Sequence, residues 1–231
     1  MKDKPIEVIV MGTIHNQHLS SKKYGLKEVK AIIEAINPDV VLAEMPPDRF
    51  AIASKQFDET GEILEPRILQ YPEFSKVIFP LSKTMNFELK PVSAWTEAMA
   101  NERDVKLEDI KYNPARSKDW ETYNLSREKS SKLFNEKIKE FTPENIHTQE
   151  FDDILSIELS VFDKLFNNDL GKGGWTNINN SHYKLIDTEL NKIKGSVKRV
   201  LIIFGAGHKG WLNNKLKERS NINLINLIDA L

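Results

Sequence analysis

Three continuous apolar runs, each ending at a polar residue, limit what this chain can fold into. Residues 6–15 and 200–208 each combine a run rich in Val, Ile and Leu with a Gly-x-x-His motif, and residues 40–44 read Val-Val-Leu-Ala-Glu. Such runs are typical of strands that are buried on both faces of a parallel sheet. The pattern predicts an α/β fold with polar side chains at the carboxyl edge of the sheet, where such folds build their sites.

The segments between these runs show the apolar spacing of amphipathic helices. A helix is predicted over residues 24–37, with Ser20 or Ser21 as its cap, so residues 6–43 are expected to form one βαβ unit. Residues 200–227 are expected to repeat the strand–helix–strand plan. The other predicted elements are a third strand at 88–92, a last strand at 223–227, and helices at 73–85, 151–166, 183–193 and 209–219.

The length of 231 residues suits one α/β domain over residues 1–231. Its mostly parallel central sheet is expected to come from two pseudo-repeated halves. Between them, residues 95–195 are rich in Lys and Glu with apolar residues at helical intervals, and they are predicted to form an inserted helical cap.

Composition excludes several classes of function. The 33 basic and 34 acidic residues balance, which argues against a dedicated nucleic-acid binder. The absence of cysteine excludes disulfides and thiolate metal sites. No signal-peptide core and no membrane-length apolar run is present, so a cytoplasmic protein with no membrane partner is expected. The sequence leaves the oligomeric state open.

His15, Glu44 and His208 are the strongest candidates for a site, because all three are predicted at the ends of strands in one parallel sheet. Two imidazoles and a carboxylate suit a divalent metal such as zinc, manganese or cobalt. Without a metal, the same three residues would suit acid–base catalysis. The alternative is a purely structural role, in which each histidine only caps its strand.

Other candidates are weaker. Arg49 would pair with Glu44, hold a substrate carboxylate, or form only a local salt bridge. His18, Trp175 and His182 are candidates for substrate binding, although His18 is favoured as a solvated loop residue. His147 is predicted at the surface.

Two glycine-rich stretches suggest phosphate binding only weakly. Residues 171–174 read Gly-Lys-Gly-Gly but follow no strand, so a flexible loop or lid hinge is expected there. Residues 205–210 match G-x-G-x-x-G literally. The chain then ends too soon for a second half that would bind the ribose, which disfavours a dinucleotide.

The two Gly-x-x-His motifs, together with residues 41–49 (Val-Leu-Ala-Glu-Met-Pro-Pro-Asp-Arg), resemble the signature of the TraB/PrgY/GumN proteins. That group is related to the TIKI metalloproteases, the erythromycin esterases and the ChaN-like haem-binding lipoproteins. The resemblance covers about the first fifty and the last thirty-five residues. It implies an α/β fold of two pseudo-repeated halves with His15, Glu44 and His208 in the site and Arg49 in support.

One feature departs from this family pattern. Relatives carry an arginine on the helix before the last βαβ unit, whereas residues 179–184 of this chain read Asn-Asn-Ser-His-Tyr-Lys. His182 or Lys184 would have to replace that arginine.

These observations predict a hydrolase, metal-dependent, that acts on a peptide, amide or ester bond of a peptide or small-molecule substrate. The main alternative is a protein that binds haem, a metal or a peptide in the same cleft without turnover; haem is the less favoured ligand. A third alternative is an interaction module that binds another protein through its Lys/Glu-rich helices.

Overall fold

The computed structural model describes residues 5–193 and 197–231, and the sheet lies within them. Its strands are β1 (Ile6–Thr13), β2 (Val40–Ala43), β3 (Glu88–Pro91), β4 (Arg199–Gly205) and β5 (Ile222–Ile225). They form one sheet in the order β3-β2-β4-β1-β5, and every pairing is parallel. The predicted α/β class and the predicted strand positions are confirmed.

The strand order differs from a simple βαβ unit. β4 lies between β1 and β2 and pairs with β1 from Glu7↔Arg199 to Thr13↔Gly205. In the same way, β1 lies between β4 and β5. The connections from β1 to β2 and from β4 to β5 therefore each pass over one strand. The three central strands β2, β4 and β1 are those that lead into Glu44, His208 and His15.

The helices cover most of the remaining described residues. They are α1 (Leu26–Ile36), α2 (Pro47–Thr60), α3 (Pro66–Leu69), α4 (Phe79–Thr84), α5 (Glu97–Tyr112), α6 (Ser117–Leu133), α7 (Pro143–Ile146), α8 (Gln149–Phe166), α9 (Trp175–Lys192) and α10 (Ala206–Leu216). Within the described part of the chain, no helix is both long and apolar enough to cross a membrane.

Both faces of the sheet are buried, which explains why its central strands read as unbroken apolar runs. Successive side chains of a strand point to opposite faces. Ile9 and Ile203 accordingly pack with α1 and its neighbours, whereas Val10 and Ile202 pack with α9 and α10.

The middle of the chain has two parts. α9 lies in the layer that covers the sheet, since Ile186 and Leu190 belong to the same buried cluster as β4. A separate cluster joins α5 to the end of α8 through Ile110, Phe162 and Phe166, and Tyr123 of α6 packs against it. Pro114 begins a 3-10 turn between α5 and α6.

Several element boundaries differ from the sequence predictions. Gly25, not Ser20 or Ser21, is the N-cap of α1, and its N–H donates to the Glu28 side chain. α2 occupies a segment for which no helix was predicted. Pro47 at its first position explains that start, because proline there has the helical φ and loses no needed donor.

Candidate functional site at the carboxyl edge of the sheet

Glu44 directly follows β2 and lies in the middle of the candidate site. It is 7% exposed. Its Oε2 accepts a 2.8 Å hydrogen bond from the N–H of Gly205 at the end of β4. This bond fixes the carboxylate and leaves Oε1 3.7 Å from Nε2 of His208. The parallel edge therefore brings two of the predicted residues together.

His208 lies in the first turn of α10, which begins three residues earlier than predicted. Its Nδ1 is 2.7 Å from Oδ1 of Asn179, and the Asn179 amide nitrogen donates to the Trp175 carbonyl. The second bond sets the orientation of the amide, so Nδ1 of His208 is the donor and Nε2 keeps its lone pair. Burial lowers the pKa of His208, although the charge of Glu44 opposes this shift.

Trp175 stacks on the His208 ring with a centroid distance of 4.8 Å and an interplanar angle of 20°. The tryptophan therefore limits how far the imidazole can turn. Trp175 was a candidate for substrate binding, and the structure places it directly against a site residue.

His15 occupies the turn after β1 with a φ of 49°, a left-handed conformation that is uncommon for residues other than glycine. Its Nδ1 lies 2.7 Å from Oε1 of the fully buried Glu73, so Nδ1–H donates. Its Nε2 has no hydrogen bond among the described residues. Burial alone would lower the pKa of His15. The hydrogen bond and charge of Glu73, with the charge of Glu44, outweigh burial and raise it.

Gly205 permits the close approach of His15 to β4. A Cβ at this position would lie 2.5 Å from Nε2 of His15. The two Gly-x-x-His motifs therefore meet in space. Among the described glycines only Gly61 and Gly171 have positive φ angles, so the glycines of the two motifs adopt ordinary backbone conformations.

His182, on α9, is fully buried at the same edge. Its Nδ1 accepts a 2.9 Å hydrogen bond from the backbone N–H of Ala94, and its buried Nε2 has no hydrogen-bond partner among the described residues. His182, Glu44 and His208 offer one possible ligand atom each within 4.8 Å of one another, so this group could hold a metal ion. His15 is not part of that group. Burial, with a smaller contribution from His208, lowers the pKa of His182.

Two histidines have structural roles instead. His18 is not solvated but buried: its Nδ1 donates to the Tyr24 carbonyl, and its Nε2 accepts from the Ile14 N–H. The surface position predicted for His147 is wrong as well. Its Nδ1 donates to the Pro143 carbonyl, and its Nε2 accepts from the Gly12 N–H.

Arg49 lies on α2 and forms ion pairs with carboxylates other than Glu44. Its nitrogens lie 2.8 Å from Glu97, 3.3 Å from Asp48 and 3.5 Å from Glu65. Among the described residues it makes no ion pair with Glu44, so it does not orient that carboxylate directly.

A cleft of about 490 Å³ opens onto Glu44. Aromatic, polar and basic side chains line it, including Tyr71, Ser93, Trp95, Arg67 and Arg103. The cleft connects the candidate site to solvent and is wide enough for part of a peptide or a small molecule.

Sequence reasoning missed Glu73 and Asn179, the acceptors that orient His15 and His208. Neither lies in a recognisable motif. The only signal was position, because Asn179 lies one helical turn before His182 on the helix that precedes the last strand–helix–strand segment.

No protein-family model matches this chain, and no curated protein is significantly similar to it. The resemblance to the TraB/PrgY/GumN proteins therefore depends on the short motifs alone.

Proposed function

We propose that this protein is a hydrolase, assisted by a divalent metal, that cleaves a peptide, amide or ester bond in the cleft above Glu44. The observation that carries this function is the orientation of two histidines. His15 and His208 each donate Nδ1–H to a side-chain oxygen, of Glu73 and of Asn179, and Nε2 of each has no hydrogen bond among the described residues. Nε2 of His208 lies 3.7 Å from Oε1 of Glu44. Histidines that bind metals are held in this way.

The donor chemistry fits zinc, manganese or cobalt, because imidazole nitrogen and carboxylate oxygen suit these ions. A bound divalent metal would act as a Lewis acid on the scissile carbonyl. His15 and His208 would hold it, with Glu44 either as a third ligand or as the general base. The family resemblance points to the same three residues.

The residues of the chain account for the proton transfers. A carboxylate oxygen of Glu44 takes a proton from the attacking water as the water oxygen bonds to the carbonyl carbon. The same oxygen then gives that proton to the leaving nitrogen or oxygen as the old bond breaks. The buried carboxylate suits this exchange, since the Gly205 N–H holds it in place.

Metal content and hydrolysis test this function together. We expect untagged protein to carry nearly one equivalent of zinc, manganese or cobalt, and the His15→Ala/His208→Ala protein to carry almost none. Glu44→Gln is expected to abolish hydrolysis of peptide and ester substrates. Glu62→Gln, at an exposed loop position, is the matched control and should change neither property.

Two other outcomes would reject parts of this function. Bound metal without turnover of any substrate would indicate the non-catalytic binding protein, with haem absorbance as the test for haem. Hydrolysis by protein that contains no metal would indicate acid–base chemistry by the same histidines and glutamate.

A further inference from the structure

We infer that His182 is a neutral hydrogen-bond donor for the substrate oxygen and not a ligand of the metal. This inference rests on the proposed hydrolase function and assigns a role to a buried histidine that lies outside both Gly-x-x-His motifs. If it is correct, the site combines two histidines that offer lone pairs with a third that offers a proton.

The bond from Ala94 determines which nitrogen of His182 carries the proton. A backbone N–H can only donate, so Nδ1 of His182 must accept with its lone pair. In a neutral imidazole, the proton then resides on Nε2. A metal at Nε2 would require both nitrogens to be deprotonated, which a buried ring next to Glu44 disfavours. His182 thus differs from His15 and His208 in which ring nitrogen carries the proton.

The second observation concerns the Nε2–H of His182. It is buried and has no hydrogen-bond partner among the described residues. Leaving a buried donor unpaired is costly, and native structures seldom do so without a reason. The rings of Trp95, Phe204 and His208 surround His182 with edge contacts, which hold the donor in one direction.

A carbonyl oxygen bound next to Glu44 would supply the missing acceptor. During hydrolysis this oxygen gains negative charge, and a fixed donor at its position stabilises that charge more than it stabilises the bound substrate. Loss of the His182 side chain would then lower kcat, with little change in KM. The donor needs no proton transfer, because it keeps its proton throughout the reaction.

The direct test is the tautomer of His182 in nitrogen-15 NMR spectra of the full chain. We expect Nε2 to carry the proton and Nδ1 to be bare, both without metal and with zinc added. Protonation at Nδ1, or loss of the Nε2 proton when zinc binds, would overturn the inference whether or not the protein hydrolyses anything.

Zinc affinity and turnover give the second test. We expect His182→Leu to leave the zinc dissociation constant within about twofold while His208→Leu raises it at least tenfold. For hydrolysis, His182→Leu should lower kcat about 10²–10³-fold. His182→Gln should recover part of this loss, because its amide again presents a donor. Glu62→Gln, at an exposed loop position, is the control and should change neither zinc affinity nor kcat.

The two proposals fail in different ways. Zinc affinity lost equally in His182→Leu and His208→Leu would make His182 a ligand and overturn this inference alone. Wild-type protein that binds no metal would overturn the proposed metal-assisted function, and the NMR tautomer would still decide which nitrogen of His182 is the donor.

Discussion

The five histidines of this chain differ in what their second ring nitrogen does. In His18 and His147, both nitrogens form hydrogen bonds within the protein, so these rings brace loops. In His15, His182 and His208, one nitrogen is held by the protein and Nε2 has no hydrogen bond among the described residues. A histidine held at one nitrogen and free at the other is preorganised to bind a ligand.

Gly205→Ala tests whether contact between the two motifs positions His15. The backbone of Gly205 has a φ of −51°, which alanine tolerates, so any effect must come from the new methyl group. That group would lie 2.5 Å from Nε2 of His15 and would push the ring out of position. We expect metal affinity to fall about 10–100-fold with the fold retained, measured by zinc titration and circular dichroism.

Gly207→Ala is the matched control for this substitution. Its nearest contact would be an ordinary 3.8 Å from Trp175, and alanine favours the helix of α10. Equal losses of metal affinity in both variants would show that contact between the new methyl group and His15 is not the cause.

Helix α9 shows how one element can be positioned by another. The sequence predicts this helix only from residue 183, whereas in the structure it begins at Trp175. Asp163 of α8 accepts from both the N–H and the hydroxyl of Thr176, and so satisfies the first turn of α9. This extension carries Asn179 and His182 to the sheet edge.

Helices α8 and α10 are joined by a buried ion pair. Nζ of Lys209, 2% exposed, lies 2.6 Å from Oδ2 of Asp152. Burial lowers the pKa of the lysine and raises that of the aspartate, while each partner's charge opposes these shifts. Removing one charge leaves the other buried without a partner, which is a large cost.

We expect Lys209→Met to lower the free energy of unfolding in urea by about 3 kcal/mol. Lys209→Met/Asp152→Asn should lose less than the sum of the two single variants, because neither charge is then left alone. Lys215→Met removes an exposed pair with Glu218 and should change stability by less than about 1 kcal/mol. A loss no greater than that of the Lys215 variant would contradict a structural role for the pair.

At the scale of the whole molecule, the two ends of the chain complete one sheet. β4 lies between β1 and β2, so the amino-terminal strands lack their central neighbour until the last third of the chain is present. In the strand order β3-β2-β4-β1-β5, the chain runs from β1 to β2 in one direction across the sheet and from β4 to β5 in the opposite direction. The site therefore lies where neighbouring strands send the chain in opposite directions, which is where open α/β sheets bind ligands.

Acid is expected to destabilise the whole molecule through its buried histidines. Burial lowers the pKa of His147 from its usual value of 6.5 to about 4. As the pH falls from 6.5 to 4, the unfolded chain takes up this proton first, so the equilibrium moves toward the unfolded state. The contribution of His147 to the free energy of unfolding is fully present above pH 6.5, and about 3 kcal/mol of it is lost by pH 4.

Urea unfolding between pH 7 and pH 4 measures this effect. His147→Gln keeps an acceptor for the Gly12 N–H but does not titrate, so its stability should depend less steeply on pH than that of the wild type. Identical pH dependence in the two proteins would mean that His147 does not contribute.

Local patterns in the sequence were enough for the α/β class, the strands and the association of Glu44 with His208. Apolar runs identify buried strands, and parallel strands bring their ends to one edge. Only the tertiary structure decided that β4 separates β1 from β2 and that Arg49 forms its ion pairs with carboxylates other than Glu44. It also decided that Glu73, Asn179 and Ala94 orient the rings of His15, His208 and His182. These partners lie 29 to 88 residues from the rings that they hold, and hydrogen bonds over such separations follow from chain packing, which leaves no local pattern in the sequence.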